Sequence, residues 1–149
     1  MKNQYKHFNP KEHQVDVKLA KVRTSNHCKH NINYHLVWIP KYRRKVLING
    51  VDNHLKNIVK EVCHESLADL LEIEVIADHV HIMVEVDPQF GIHKLIKRIK
   101  GRSSRILRKE YKFLRSRLPT LWSNSYFVTT LGGAPLEIIK QYIKDQKNV

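Results

Sequence analysis

Several protein classes are excluded by what this sequence lacks. Only two cysteines, Cys28 and Cys63, occur in 149 residues, and Met1 is followed by polar and basic residues. Neither a disulfide framework nor a secretory leader is expected, so a reducing, cytoplasmic location follows. Glycine and proline number 5 each while apolar residues make up 42%, which argues against disorder and repeat or low-complexity architecture. No apolar run approaches the ~20 residues that cross a bilayer. Acidic residues are the other shortage. Fourteen Asp and Glu face 27 Lys and Arg, a net charge of +13 and a pI near 9.9. Such an excess favours a polyanionic partner, nucleic acid ahead of an acidic membrane surface.

What is present fits one globular domain. Residues 1–30 are polar and basic without a sustained period and read as an N-terminal extension; residues 31–149 carry the domain. NINYHLVWI, from Asn31 to Ile39, is rich in strand formers, stops at Pro40 and is followed by the cations Lys41, Arg43, Arg44 and Lys45. Val51, Leu55, Ile58, Val59, Val62 and Leu67 recur at helical spacing and predict a helix over Val51 to Leu70. Leu71 to Ala77 and Val80 to Val86 read as a hairpin parted by Asp78 and His79.

A second helix is expected from Gly91 to about Lys109. Ile92, Leu95, Ile96, Ile99, Ser103, Ile106 and Leu107 face inward, and Lys94, Lys97, Arg98, Lys100, Arg102, Arg105 and Arg108 outward. Ser125 to Thr130 completes four strands. Gly132 and Gly133 form a flexible joint, and Pro135 suits the first turn of a last helix ending near Gln146. The fold class is therefore α+β, a ferredoxin-like β-α-β-β-α-β antiparallel sheet with an additional C-terminal helix. Its first and third strands would be central, and one sheet face would stay open unless a partner or the last helix covers it.

In the third strand, Val80, Ile82, Val84 and Val86 alternate with His79, His81, Met83 and Glu85. Side chains two apart share a face, so the apolar set would pack on the helices and both histidines would share the open face. Their Cα atoms lie ~6.6 Å apart from the rise per residue, a span two imidazoles can close on one metal ion. Alone, a His-x-His pair is a weak signal, more readily read as two exposed histidines on the polar side of a half-buried strand. In the last helix, Tyr142 and Gln146 are four residues apart on one face, with Lys140, Lys144 and Lys147 nearby. A phenol can attack a phosphodiester if its proton is lost and the leaving oxygen is stabilised. By pattern alone, Tyr142 is more readily read as a core residue beside Ile139 and Ile143, and Gln146 as a solvated helix-end residue.

The segments YHLVWIPKYRRKVL, ADHVHIMVEV, KGRSSRILRKEY, LWSNSYFVTTLGG and IIKQYIKDQ, in that order, closely resemble the IS200/IS605 family of single-tyrosine, HUH-type transposases from about His30 to Gln146. The resemblance implies that His79 and His81 are the metal-binding pair, Tyr142 the nucleophile and Gln146 the third ligand of Mg²⁺ or Mn²⁺. It further implies cleavage and rejoining of single-stranded DNA with hairpin ends, and a homodimer in which the tyrosine helix can reach across to the other subunit. Lys41, Arg43, Arg44, Lys45, Lys100, Arg102 and Arg105 are the candidate DNA-phosphate contacts. Ala77 and Asn124 stand where proline is common in the family, and neither departure removes a catalytic group.

Three alternatives remain open at this point. One is a domesticated relative that still nicks DNA. Another is a noncatalytic single-stranded nucleic-acid hairpin binder; an RRM-like module would want stacking aromatics where the third strand has His79, His81, Met83 and Glu85. The last is a structural zinc protein using Cys28 and Cys63 with His27, His30 or His64, spacings that match no common zinc pattern.

Overall fold

The computed structural model describes residues 32–130 and 143–144, together with the backbone of 23–25 and 28–30. Strands β1 (Arg23–Ser25) and β2 (Cys28–His30) pair as an antiparallel ribbon, Arg23 opposite His30. Strand β3 (Asn33–Trp38) leads through a short 3₁₀ turn (Lys41–Arg43) to helix α1 (Val51–Glu65). Strands β4 (Asp69–Ile76) and β5 (His79–Glu85) form a hairpin. Helices α2 (Ile92–Glu110) and α3 (Lys112–Arg117) precede the last strand, β6 (Phe127–Thr130).

The four longer strands form one antiparallel sheet in the order β4-β5-β3-β6. This is the expected α+β architecture, with β3 and β5 in the centre. Leu36 and Trp38 of β3 and Val80, Ile82 and Val84 of β5 share one core with Leu55, Ile58, Val59 and Val62 of α1 and Leu95, Ile96, Ile99 and Leu107 of α2. Each such fully buried aliphatic side chain contributes roughly 1.5–3 kcal/mol. Among the described residues, no helix is long and apolar enough to cross a membrane.

Ser103 is the polar residue on the buried face of α2. Its hydroxyl donates to the Ile99 carbonyl at 2.6 Å and accepts the Trp122 indole N–H at 2.9 Å, so both buried polar groups are satisfied. Trp122 packs edge-on against Trp38 with centroids 6.0 Å apart. The segment before β6 also bonds to the end of β3, Lys41 N–H to the Leu121 carbonyl and Ser123 N–H to the Ile39 carbonyl. Lys100 completes the seam: its ammonium donates to the Ser123 and Ser125 carbonyls at 2.6 and 3.2 Å.

Three elements differ from expectation. Helix α1 stops at Glu65 rather than Leu70, because Leu67 adopts φ 54° and the Leu67 and Ala68 amides donate back to the His64 and Cys63 carbonyls, a Schellman stop. Leu67, expected in the core, is 75% exposed. Helix α3 was not expected; extended Tyr111, at φ −111° and ψ 100°, separates it from α2 without any Gly or Pro to signal the break. The ribbon β1-β2 gives strand structure to part of residues 1–30, where none was expected. Cys63 lies in the core, and burial pushes its thiol up to about 11, so it is an inert core group rather than a zinc ligand.

Two outcomes are expected. Leu67→Gly removes the cost of a left-handed, branched side chain with little loss of buried surface, and urea unfolding should show a gain of up to about 1 kcal/mol. Burial also lowers the Lys100 pKa from its ordinary 10.5. Between the lowered value and 10.5 the unfolded chain therefore binds more protons than the folded one, and this contribution to stability rises with pH. Compared with Lys100→Met, wild type should gain stability from pH 8 to pH 10.5; a constant difference between the two would refute the coupling.

Candidate functional site

The site begins with the period-two alternation of β5. All seven of its residues are buried, but on two different faces. Val80, Ile82 and Val84 belong to the helix-packed core. His79, His81, Met83 and Glu85 face the other side, where their neighbours on β3 include His35 opposite Met83 and Val37 opposite His81. That second face was expected to be open. Instead His79, His81, His35, Val37 and Met83 are all buried, none more than 7% exposed, so any ligand there meets a shielded, low-dielectric setting.

His79 opens the strand directly after the two-residue turn Ala77-Asp78, which the Ile76–His79 pair closes. The Leu47 amide donates to the Ala77 carbonyl at 3.0 Å and ties this turn to the basic segment after β3. A second tie is electrostatic: Asp78 Oδ2 accepts from Arg43 Nε at 3.0 Å. Its Oδ1 contacts His79 Nδ1 at 2.8 Å. Burial pushes the Asp78 carboxyl up, but the hydrogen bond and charge of His79 and the Arg43 guanidinium outweigh it, and the net shift is downward. An ionised carboxylate only accepts. The contact places His79 Nδ1, rather than Nε2, against this acceptor.

The second ring is held from the edge strand. His81 Nε2 contacts Glu74 Oε2 at 2.8 Å, and Glu74 is its direct cross-strand neighbour. Unlike Asp78, the Glu74 side chain is 27% exposed, so it can swing into solvent and release that nitrogen. The rings lie within 18° of parallel with centroids 6.3 Å apart. That is about the upper limit for both to reach one ion through bonds of roughly 2.1 Å. Imidazoles in contact with carboxylates are a donor set suited to a divalent transition-type cation. Two ligands do not complete a site, and among the described residues no cluster of three or more His, Cys, Asp or Glu side chains could hold a metal.

Tyr142 and Gln146, together with Gly132 and Gly133, lie outside the described residues. Next to Tyr142, Ile143 is buried and Lys144 exposed, both with helical backbone. The seven cations chosen as phosphate contacts divide into two groups. Arg43 is engaged with Asp78, Lys100 with two backbone carbonyls, and Arg102 with Glu65 at 2.6 Å and Glu61 at 3.9 Å. Local partners hold these three in place. Arg44, Lys45 and Arg105 are exposed, and the Lys41 ammonium lies 5.2 Å from the Tyr42 ring centroid. Arg44 and Lys45 line a cleft of about 340 Å³ with Val46 and Arg117; Arg117 was not singled out in the sequence.

A larger cavity, about 500 Å³, lies between α2 and the segment before β6, away from the histidine pair. His93, Lys97, Lys100, Ser104, Trp122 and Tyr126 are among its lining residues, and His93 Nδ1 contacts the Tyr126 hydroxyl at 2.8 Å. Sequence reading placed Lys97 and Lys100 on a cationic helix face. It had no way to bring Trp122 against that face, because the loop carrying it has no periodicity, and it placed Tyr126 in the last strand, which starts instead at Phe127. Asp78 and Glu74 were likewise passed over, although a carboxylate beside or cross-strand from a histidine is a readable signal.

Residues 28–146 match the family described as transposase IS200 like. The ISDra2 transposase TnpA of Deinococcus radiodurans is 33% identical over 119 residues, covering 78% of this chain and 85% of that protein. The transposase for insertion sequence element IS200 of Salmonella typhimurium is 30% identical over 122 residues, 80% of each. A crystal structure of a Deinococcus radiodurans transposase superposes with a TM-score of 0.78 at 30% identity, covering 85% of this chain and 99% of the other. A REP-associated tyrosine transposase solved with a REP hairpin shares the fold, with a TM-score of 0.52 at 10% identity over 83% of this chain and 68% of the other. A match over most of the chain, joined to the strand order and to the histidine pair on one sheet face, identifies this protein as a member of the IS200-like, single-tyrosine transposase family.

Proposed function

We propose that this transposase cleaves and rejoins single-stranded DNA at insertion-sequence ends through a 5′-phosphotyrosine on Tyr142. The observation that carries the reading is the placement of His79 and His81 on one shielded face, each ring held by a carboxylate at 2.8 Å. His79, His81 and the Gln146 amide oxygen would hold Mg²⁺ or Mn²⁺. The ion, when bound, supplies Lewis-acid polarisation of the scissile phosphate. Imidazole donors tolerate Mn²⁺ well, whereas abundance favours Mg²⁺.

The chain's own groups do the rest. The Tyr142 phenolate oxygen attacks phosphorus in line, the P–O3′ bond breaks, and the departing oxygen takes a proton to leave a free 3′-hydroxyl. Attack of another 3′-hydroxyl on the phosphotyrosine reverses the exchange and joins strands. One phosphoester bond is made for each one broken, so no nucleotide cofactor is needed. Exposed Arg44, Lys45 and Arg105 serve as mobile phosphate contacts, while Arg43, Lys100 and Arg102 shape the surface that presents them. Lys41 contributes charge beside Tyr42. A homodimer, with the Tyr142 helix serving the histidine pair of either subunit, is part of this reading.

The test is incubation of labelled single-stranded hairpin DNA with Mg²⁺ or Mn²⁺, followed by denaturing electrophoresis. A covalent adduct is expected with wild type and not with Tyr142→Phe. An adduct that survives in Tyr142→Phe moves the nucleophile to another tyrosine, such as Tyr126 or Tyr111. Binding without any adduct in wild type reduces the protein to a noncatalytic hairpin binder. Affinity for the same DNA should fall steeply as salt rises, because phosphate contacts release counterions; salt-independent binding would contradict the assignment of the cations.

A further inference from the structure

We propose that Asp78 is the positioning residue of the histidine pair: it fixes His79 as the Nδ1–H tautomer, so that Nε2 faces the ion, and Arg43 locks Asp78 to the basic segment after β3. The proposal rests on the metal-binding reading of His79 above. It adds which nitrogen is used, what enforces that choice, and what ties the metal ligand to the cationic segment.

Asp78 is 3% exposed, and each carboxylate oxygen has its own partner. Oδ1 lies 2.8 Å from His79 Nδ1, and Oδ2 accepts from Arg43 Nε–H at 3.0 Å. Neither contact is a surface ion pair of the kind that contributes little. The Asp78 side chain is 4% exposed, Arg43 11% and His79 2%, so rearrangement would leave buried polar groups without partners. An imidazole in water prefers the Nε2–H form. A carboxylate against Nδ1 inverts that preference, and outer-shell carboxylates orient metal-bound histidines in this manner.

The same geometry gives Arg43 its second role. Tyr42 and Arg43 both adopt left-handed backbone, φ 58° and 51°, a conformation that is costly for side chains other than glycine. The Arg43 N–H bond to the Pro40 carbonyl and the Leu47 N–H bond to the Ala77 carbonyl hold the basic segment on both sides of this contact. Displacing the Lys41–Lys45 segment therefore pulls on Asp78 and, through it, on His79. Glu74 cannot do the same for His81, since it is partly exposed on the edge strand and has no arginine bound to it in the described contacts.

Two measurements on the full-length protein test this. Imidazole ¹⁵N NMR of the metal-free protein reads the tautomer directly: His79 should show a protonated Nδ1 and an unprotonated Nε2, and the reverse assignment overturns the proposal with no variant needed. Titration with Mn²⁺, followed by electron paramagnetic resonance, reads the consequence. Asp78→Asn can donate to Nδ1 and so favours the wrong tautomer; its Mn²⁺ affinity should fall roughly 10–100-fold with the circular dichroism spectrum unchanged. Arg43→Gln should give a smaller loss, and Glu74→Gln less than Asp78→Asn. Wild-type affinity in Asp78→Asn overturns the positioning role. Equal Mn²⁺ binding by wild type and His79→Ala would instead overturn the metal reading itself, so the two failures are distinguishable.

Discussion

The whole arrangement depends on a central strand whose two faces do different work. In β5, residues two apart point the same way, so Val80, Ile82 and Val84 anchor the sheet to α1 and α2 while His79 and His81 are delivered together to the far side. A shift of one residue in register would exchange the two sets, putting imidazoles into an aliphatic core and aliphatics on the opposite face. The apolar contacts that stabilise the fold therefore also fix the histidines. β5 is paired on both edges, by β4 and β3, so His81 lies within the ladder between Glu74 and Val37, while His79 is held at the start of the strand by its pairing with Ile76.

Electrostatics act on top of that constraint. An excess of 13 positive charges draws a polyanion, but it also offers many cations that could fold back on the few carboxylates present. The structure uses some of them for that purpose. Arg43 stabilises buried Asp78, Arg102 holds Glu65, and Lys100 ties the loop before β6 to α2. The exposed remainder, including Arg44, Lys45 and Arg105, stays available for phosphates. Position on a cationic helix face is thus a poor guide to which lysine or arginine meets DNA, since neighbouring residues of one face have very different partners.

Much of this was legible in the sequence because it is periodic. The alternation in β5, the helical spacing of Leu55, Ile58, Val59 and Val62, and the strand formers before Pro40 each report local structure through burial. The strand order followed from their succession. What escaped notice lacks a period. Tyr111 breaks α2 from α3 by backbone angle alone, Leu67 takes a position usually filled by glycine, and Trp122 and Tyr126 reach α2 from an irregular loop. The burial of the second sheet face was also invisible, since alternation shows that two faces differ and not how each is covered. Asp78 was read as a turn residue, and only the fold brings Arg43 against it from 35 positions away.

A crystal of the protein grown with Mn²⁺ and measured at the manganese absorption edge addresses the centre of this description most directly. An anomalous peak bonded to Nε2 of His79 and to a nitrogen of His81, with Asp78 still on Nδ1, is the expected result. A peak elsewhere, with the two imidazoles bonded to protein groups alone, would contradict it.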